Sequence, residues 1–499
     1  MARFKSNEED QGMFLPINLK KQLIPGTFEH TSNLVIDKID LSVIESKYKN
    51  DETGAKAYAP RLLLKIIINA YAKGMISSRK IEELCKENII FIAMAGDLHP
   101  DHSTIASFVT SMEKEIIDIF KNVLIICAQC DLIGGEVFAL DGCKLSSNAG
   151  KEWSGTFKEL ENKKLKLEKT LKLLIEKHKR ADTDEEKKRA KKSKENIKTK
   201  IEKITEYILK NEAKPGTRGR ENKSNITDNQ SAKMHSPRGI IQGYNGMSLV
   251  DNKKQIVVHA DVYGNVSESE YLNTIMEQGL INLKECKRKN FSFKKKQLLA
   301  DTNYFSETNC EYIFTNKIDG YIPDTGFRKR DPRFPEKKEE SKRIKKYQQQ
   351  DFKYNHEQNC YYCPLGKTLH LKRKNILFHG YRGDRYEAST TDCKVCVMQY
   401  KCLNRQAKKR SLFIIREKKN KTYSQKMIEK IDTVKGRDIY MQRMGIVEPV
   451  FANITYHKRM NRFHLRGRNK VKIQWLLYNI VHNIEKIAKY GKLNKLKIA

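Results

Sequence analysis

A mixed α/β fold is predicted by two hydrophobic patterns that alternate along the 499 residues. Short apolar runs end at an acidic residue in EVFALD and KQLLAD, and runs of about four to eight apolar residues are typical of buried strands. Longer segments, such as RLLLKIIINAYAK and QRMGIVEPVFANITYH, place apolar residues at helical spacing. Hydrophobic residues make up 39% of the chain, which is enough for real cores, and the length corresponds to about two to four domains.

The N-terminal segment, residues 1–130, is predicted to be a helical domain. Pro60 opens one apolar run, and Gly74 can end it in the left-handed conformation. Asp101 or Ser103 can cap a later helix. Successive short helices of this kind occur in helix-turn-helix domains, whose exposed helix enters the major groove of DNA. A helical bundle that packs on the core or dimerises fits equally well, because helical spacing indicates burial and not groove recognition.

Residues 157–212 are predicted to form a helical hairpin inserted into the core. Its two helices carry apolar residues at heptad-like steps and can form one seam. These residues are Leu160, Leu167, Leu171 and Leu174 in the first helix and Ile197, Ile201, Ile204 and Ile208 in the second. Thr183 with Glu186 is a capping-box signature for the second helix. The lysine-rich faces either touch nucleic acid or form the solvated face of a coiled coil, and we assign the hairpin no catalytic role.

The core itself is predicted from residues 131–156 and 213–319. The segments GMSLVD and KQIVVHADVYG would extend the sheet that carries Asp141. Asp228 lies in a polar loop and Asp261 at the end of a strand pattern, so we interpret neither as a metal ligand.

A basic insertion, residues 320–436, carries five of the eleven cysteines. Two Cys-x2-Cys pairs followed by a fifth cysteine are typical of a structural zinc site, provided that the segment between the pairs forms a hairpin. The candidate ligands are Cys360, Cys363, Cys393, Cys396 and Cys402, with His356 and His370 as weaker candidates. Reduced or redox-labile thiols are the alternative, and no disulfide framework is predicted.

The charge of the chain favours a nucleic-acid partner. Lys and Arg number 97 against 61 Asp and Glu, a formal net charge of +36, which is the electrostatic pattern of proteins that follow phosphate backbones. Codon bias in an A+T-rich genome is the alternative cause of the many lysines. The chain has neither a membrane-spanning apolar segment nor a signal peptide at MARFKSNEED, so we expect a cytoplasmic, nucleoid-associated protein with no membrane partner.

Carboxylates that are far apart in the chain suggest one assembled metal site. Asp141 and Asp301 each close an apolar strand pattern, and a strand end aims its side chain into the crevice where sheet proteins bind ligands. Residues 437–499 complete the core with an amphipathic helix, whose apolar face would pack on the sheet and turn Glu448 into the crevice. Oxygen ligands of this kind suit Mg²⁺, and phosphodiester cleavage is the usual chemistry of such sites.

The ordered series of these carboxylates, with its surroundings, resembles the DDE transposases of bacterial insertion sequences, which share an RNase H-like core. The motifs that carry the resemblance run along nearly the whole chain. They are PRLLLKIIINAYAKGMISSRKIEELCKEN, PDHSTIASF, DGCKLSSNAGKEWSGT, GYNGMSLVD, ADTNYFSE, VEPVFANITYH and HLRGRNKVKIQWLLYNIVHNI.

This resemblance implies binding of terminal inverted repeats and target DNA, usually by a homodimer, and cleavage and strand transfer with two Mg²⁺ or Mn²⁺ ions. Asp141 would bridge the ions, while Asp301 and Glu448 would each hold mainly one. Basic and aromatic residues near the Glu would grip phosphates. Tyr440 and Arg443 stand one residue farther from it than the family pattern, and Thr455 occupies the place of a Lys. The residues assigned to DNA binding are therefore Tyr440, Arg443, Lys458, Arg459 and Arg462.

Other interpretations stay open at this point. A domesticated or inactive transposase would bind DNA without cutting it, and a nuclease of the same fold would cut DNA without joining it. A basic RNA-binding or ribosome-associated protein would explain the charge but not the ordered carboxylates.

Overall fold

The computed structural model of the chain describes residues 18–48, 56–179, 183–216, 220–236, 239–286, 290–334, 346–378, 381–404, 407–415 and 421–492. The chain divides into two units, one formed by Met1–Pro323 together with Thr433–Ala499 and the other by Asp324–Asp432. Among the described helices, none combines the length and the apolar composition that crossing a membrane requires.

The first unit begins with helices whose ends follow from the local sequence. Pro60 occupies the first turn of its helix, where a backbone N–H is not needed. Gly74, just beyond that helix, has a φ of +70°, so the predicted left-handed ending is confirmed. The Asp101 carboxylate accepts the N–H groups of Ser103 and Thr104 at 2.8 and 2.9 Å and is therefore the cap. These helices are α1 (Phe28–Asp37), α2 (Ser42–Glu45), α3 (Pro60–Ala72), α4 (Ser78–Glu87), α5 (Ile89–Ala95), α6 (His102–Ser111) and α7 (Glu115–Gln129).

A helical hairpin follows β1 (Val137–Ser146), and its helices are α8 (Phe157–Lys179) and α9 (Asp184–Lys210). The predicted apolar seam is confirmed, since Leu160 and Ile204 are fully buried in one cluster and the other seam residues are half-buried. Short strands lie at the base of the hairpin, with β2 pairing β5 and β3 pairing β4. They are β2 (Ser154–Gly155), β3 (Lys214–Pro215), β4 (Glu221–Asn222) and β5 (Ser224–Asn225).

The central sheet of the first unit is mixed, so the predicted α/β class is confirmed. Its further strands are β6 (Ala232–Ser236), β7 (Gly239–Asp251), β8 (Ile256–Tyr263), β9 (Gln297–Ala300) and β10 (Asp319–Tyr321). The order is β10-β9-β1-β7, and the outer edge of β7 pairs first with β6 and then with β8. β1 is antiparallel to β7 but parallel to β9, which in turn is parallel to β10. Helices α10 (Leu272–Glu285) and α11 (Glu307–Thr315) connect the later strands.

The second unit is built on an antiparallel sheet in which each strand pairs with the next along the chain. Arg330 pairs with both Asp324 and Asp432, and so joins the first and last residues of this unit. The hairpin required between the two Cys-x2-Cys pairs is confirmed as β13 and β14. The elements are α12 (Phe327–Arg330), β11 (Lys353–Asn355), β12 (Cys360–Tyr362), β13 (Thr368–Phe378), β14 (Tyr381–Ala388), α13 (Thr390–Lys394), α14 (Gln399–Cys402), β15 (Ser411–Ile415) and α15 (Tyr423–Ile431).

Two helices, α16 (Val434–Ala452) and α17 (Arg468–Tyr490), complete the first unit. Pro449 lies inside α16 and has no N–H for the carbonyl of Gly445, four residues earlier. The side-chain amide of Gln255 donates to that carbonyl at 2.9 Å instead. A single π-helical turn, Asn453–His457, follows α16.

Helix α17 is seated on the sheet by buried polar side chains. Asn483 accepts from the N–H of Val257 and donates to its carbonyl, both at 2.9 Å. The indole N–H of Trp475 donates to the Met247 carbonyl at 3.2 Å. A Cβ at Gly246 would lie 2.9 Å from the Trp475 ring, so only glycine allows this close approach.

The buried imidazole of His482 makes the stability of the first unit dependent on pH. His482 is 1% exposed, and burial lowers its pKa to about 3. Its Nδ1 accepts from the Asn453 amide and its Nε2–H donates to the Gln255 carbonyl, both at 2.9 Å, which is the pattern of a neutral ring.

We expect the free energy of unfolding to fall as the pH is lowered from 7 towards 5. Below its ordinary pKa of 6.5, His482 takes up a proton in the unfolded chain but stays neutral in the folded chain. The unfolded state is then favoured by up to about 1.4 kcal/mol per pH unit. Denaturant titration at several pH values measures this, and His482→Gln, which does not titrate, should show a shallower dependence. An equal dependence in both proteins would contradict the assignment.

Candidate active site

Asp141 and Asp301 are neighbours because of strand register. The parallel pairing of β1 with β9 aligns Leu140 with Ala300, and an aspartate follows each of these two residues in the chain. The prediction that Asp301 closes its strand is confirmed, because β9 ends at Ala300. The prediction that Asp141 closes its strand is wrong, because pairing with β7 extends β1 to Ser146. Both carboxylates line one cavity of about 430 Å³.

The Asp141 carboxylate is partnered by a guanidinium. Arg443, on α16, donates to Oδ2 at 2.7 Å, and the N–H of Gly142 donates to Oδ1 at 2.8 Å. Burial raises the pKa of Asp141 to about 6; Asp301 adds to this rise, and Arg443 opposes it. A carboxylate whose pKa stays raised despite an arginine is short of compensating positive charge, so the cavity favours a further cation.

Glu448 is not brought to the two aspartates. It lies on α16, where its side chain is exposed and makes no hydrogen bond or ion pair with any described residue. Phe451 and Thr455, which follow it, line the cavity instead. Across the described ranges, no group of three or more His, Cys, Asp or Glu side chains is placed to hold a metal ion. The assembly of Glu448 with Asp141 and Asp301 therefore stays a prediction.

The residues predicted to grip phosphates have different surroundings. Lys458 is only 2% exposed, and its ammonium bonds to Glu485 and to the Asn453 side chain. Burial of a lysine requires such partners, and it keeps the ammonium away from any phosphate at the surface. Tyr440 is half-buried on α16, whereas Arg459 and Arg462 are exposed.

Four further residues around the cavity were not predicted from the sequence. Glu268, Lys144 and Asn303 line it, and the side chain of Tyr304 is buried close to its carboxylates. Tyr304 follows Asp301 in the motif DTNY, which is the one local signal that it belongs to the site. Glu268 lies in the polar segment SESE, where nothing distinguishes it from an ordinary surface carboxylate.

Two further cavities extend from the aspartates across the first unit. A second cavity, of about 600 Å³, shares Ser146 and Asn461 with the first. A third, of about 560 Å³ beside α9, shares Trp153, Thr227 and Arg466 with the second. The three cavities therefore form one continuous depression that begins at the aspartates.

Basic side chains line the part of this depression beyond the aspartates, which we call the basic groove; they are Arg462, Arg466, Lys203 and Lys210. Asn148 orients both arginines: Arg462 donates to its side-chain oxygen at 3.0 Å, and Arg466 donates to its carbonyl at 2.8 Å. Each guanidinium keeps N–H donors that point away from Asn148 and are suited to phosphate oxygens.

The cysteines of the second unit do not all lie together. The pKa of the Cys402 thiol is raised by burial and, to a smaller extent, by the nearby Cys393, Cys363 and Cys396, while Arg410 opposes the rise. Cys360 is not among these neighbours; it is buried on β12, where its thiol donates to the Gln358 side chain at 3.8 Å. Cys402 thus lies near both Cys-x2-Cys pairs.

Two regions of the chain match known protein families. Residues 18–111, which include α1 to α6, match the family described as Transposase domain (DUF772). Residues 362–488, which include Glu448, match the family described as Transposase DDE domain. No curated protein and no solved structure matches the chain. Both family matches are to transposase domains, and they support a DDE transposase of the insertion-sequence type.

Proposed function

We propose that this transposase binds the ends of its insertion sequence and catalyses metal-dependent cleavage and strand transfer of DNA. The observation that carries the proposal is the placement of Asp141 and Asp301 side by side in one cavity. The family implies an RNase H-like core, which we assign to the mixed sheet, with the α8–α9 hairpin and Asp324–Asp432 as insertions.

Divalent cations suit the donors of this cavity. Mg²⁺ prefers oxygen ligands and is usually held by one or two carboxylates together with substrate phosphates. Asp141 would hold both ions, and Asp301 and Glu448 would each hold mainly one. When bound, the ions activate the attacking water or 3′-hydroxyl and stabilise charge on the leaving oxygen.

Glu448 and Arg443, which both lie on α16, would have to move before the three carboxylates could hold the ions together. Glu448 is three residues from Phe451, which lines the cavity, so the two are neighbours on the helix surface. A change of its side-chain rotamer, or a small shift of α16, would bring its carboxylate towards the aspartates. Arg443 would release Asp141 in the same step, and its guanidinium would then lie next to the scissile phosphate.

The basic groove supports a path for DNA that leads to the aspartates. Its arginines are oriented by Asn148, and the net charge of +36 favours association with a polyanion along its whole length. As part of the same proposal, a homodimer pairs the two ends, and the protein lies with the nucleoid in the cytoplasm.

Replacement of Asp141 or Asp301 by Ala should abolish cleavage and strand transfer but leave binding of the ends intact. The loss should be at least about 10³-fold, since a metal ligand contributes several kcal/mol of transition-state charge stabilisation. Glu448→Gln should behave in the same way. Labelled end fragments incubated with Mn²⁺ and purified protein give the products, and a mobility shift gives the binding.

Glu277→Gln, which removes an exposed carboxylate on α10, is the matched control and should cleave normally. Joined products from Asp141→Ala would overturn the proposal. Cleavage without joined products in the wild type would identify a nuclease, and binding without cleavage an inactive transposase.

Arg462→Gln and Arg466→Gln should each weaken binding of end DNA several-fold. Each lost phosphate contact should also reduce the slope of log K against log salt by about 0.9. Fluorescence anisotropy at several salt concentrations measures both quantities. Lys284→Gln is the matched control, because it makes the same charge change at an exposed residue of α10 that does not line the groove. It should leave the affinity for end DNA and the salt slope unchanged. Equal effects of all three variants would show that only net charge matters.

We also propose a structural zinc ion in the second unit, held by Cys363, Cys393, Cys396 and Cys402. The proximity of the other three thiols to Cys402 supports this ligand set, as does the backbone N–H of Lys367, which donates to the Cys363 sulfur at 3.3 Å. Thiolates accept such N–H bonds readily, and a small sheet with few buried residues gains stability from a metal.

Metal analysis of the purified protein should find about one zinc ion per chain. Single Cys→Ser variants at positions 363, 393, 396 and 402 should lose it, because each removes one ligand. Cys360→Ser is the matched control and should retain zinc. Loss of zinc from Cys360→Ser, with retention in Cys402→Ser, would restore the assignment made from the sequence pattern.

A further inference from the structure

A third buried carboxylate lies in the cavity of Asp141 and Asp301. Glu268 is 3% exposed and lines this cavity. Its carboxylate forms an ion pair with the Lys144 ammonium at 3.2 Å and accepts a hydrogen bond from the Asn303 amide at 3.3 Å. Carboxylates are almost never so deeply buried without a compensating charge, and here a single lysine supplies it.

The hydroxyl of Tyr304 indicates that a ligand is needed at this place. Tyr304 is fully buried, and its hydroxyl has no hydrogen-bond partner in the part of the chain that the structure describes. Its pKa is raised well above the usual value, first by burial and then by the charges of Glu268, Asp141 and Asp301. A buried hydroxyl among carboxylates is expected to be hydrogen-bonded, so a bound water or ligand is the missing partner.

Asp141 and Glu268, which both line the cavity, are each paired with a basic side chain. Arg443 pairs with Asp141 at 2.7 Å, and Lys144 pairs with Glu268 at 3.2 Å. Both basic side chains are long and flexible, and both could leave their partner for a phosphate oxygen. Both carboxylates would then require another source of positive charge, because Glu268 is buried and Asp141 is half-buried.

We propose that Glu268 is a further carboxylate ligand of the divalent cations in this cavity, and that Lys144 releases it when they bind. The inference rests on the proposed function and adds a residue to its metal site. Asp141 and Asp301 leave much of a Mg²⁺ or Mn²⁺ coordination sphere open. Glu268 would supply a further oxygen once Lys144 releases it, because no three carboxylates among the described residues are placed around one ion in this structure. The competing explanation is structural: Glu268 would only hold Lys144 and Asn303 in place.

Calorimetric titration of the full-length protein with Mn²⁺, in the absence of DNA, separates these explanations. Glu268→Gln keeps the size and the hydrogen bond to Asn303 but removes the charge, and it should weaken Mn²⁺ binding by about tenfold or more. Glu268→Asp retains a carboxylate and should lose less. Unchanged Mn²⁺ binding by a folded Glu268→Gln protein, with weakened binding by Asp141→Asn, would overturn the inference and leave the proposed function standing.

Lys144→Met tests the same inference by removing the ammonium that pairs with Glu268, while Glu268 itself is unchanged. Without the competing ammonium, Mn²⁺ should bind more tightly, and the rise in melting temperature on adding Mn²⁺ should exceed that of the wild type. Unchanged or weaker Mn²⁺ binding in this variant would count against the inference. Glu277→Gln is the control for loss of an exposed charge, and failure of the wild type to bind Mn²⁺ would instead reject the proposed metal site as a whole.

Discussion

The burial of α17 against the central sheet is the contact on which the first unit depends. Its polar side chains are as important as its apolar ones, because a buried amide without a partner costs about 1–3 kcal/mol. The bonds of Asn483 to Val257 and of Trp475 to Met247 therefore fix both the rotation and the position of the helix. Helices α1, α3 and α7 pack on α17 as well, so the N-terminal helices take their place from the same contact.

This contact also determines the position of the cavity that Asp141 and Asp301 line. The segment between α16 and α17 is tied to α17 by Asn453, which bonds to His482, and by Lys458, which bonds to Glu485. Because that segment is held, α16 packs along β1. Arg443 therefore bonds to Asp141, although the two residues are 302 positions apart in the chain. The charge of Lys458 stabilises this arrangement, whereas the arginines of the basic groove are exposed.

Each basic residue of the cavity has two possible partners, a carboxylate of the protein or a phosphate of the substrate. In this structure Arg443 and Lys144 compensate carboxylates inside the protein. In the proposed reaction the same side chains would face phosphates, while cations would compensate Asp141 and Glu268. Such an exchange conserves charge in the cavity, which is the condition for moving a buried cation without a large desolvation cost.

Local patterns in the sequence were enough to predict the α/β class, the helix ends at Gly74 and Asp101, the hairpin seam and the position of Asp301 after its strand. These features depend on residues that are close together in the chain, so spacing and side-chain type determine them. Only the tertiary structure showed that Lys458 is buried, that Glu448 is exposed, that Cys402 lies near both Cys-x2-Cys pairs, and that Glu268 enters the cavity. Each of these depends on which distant segments pack together, because burial and the pairing of charges are set by neighbours in space and not by neighbours in sequence.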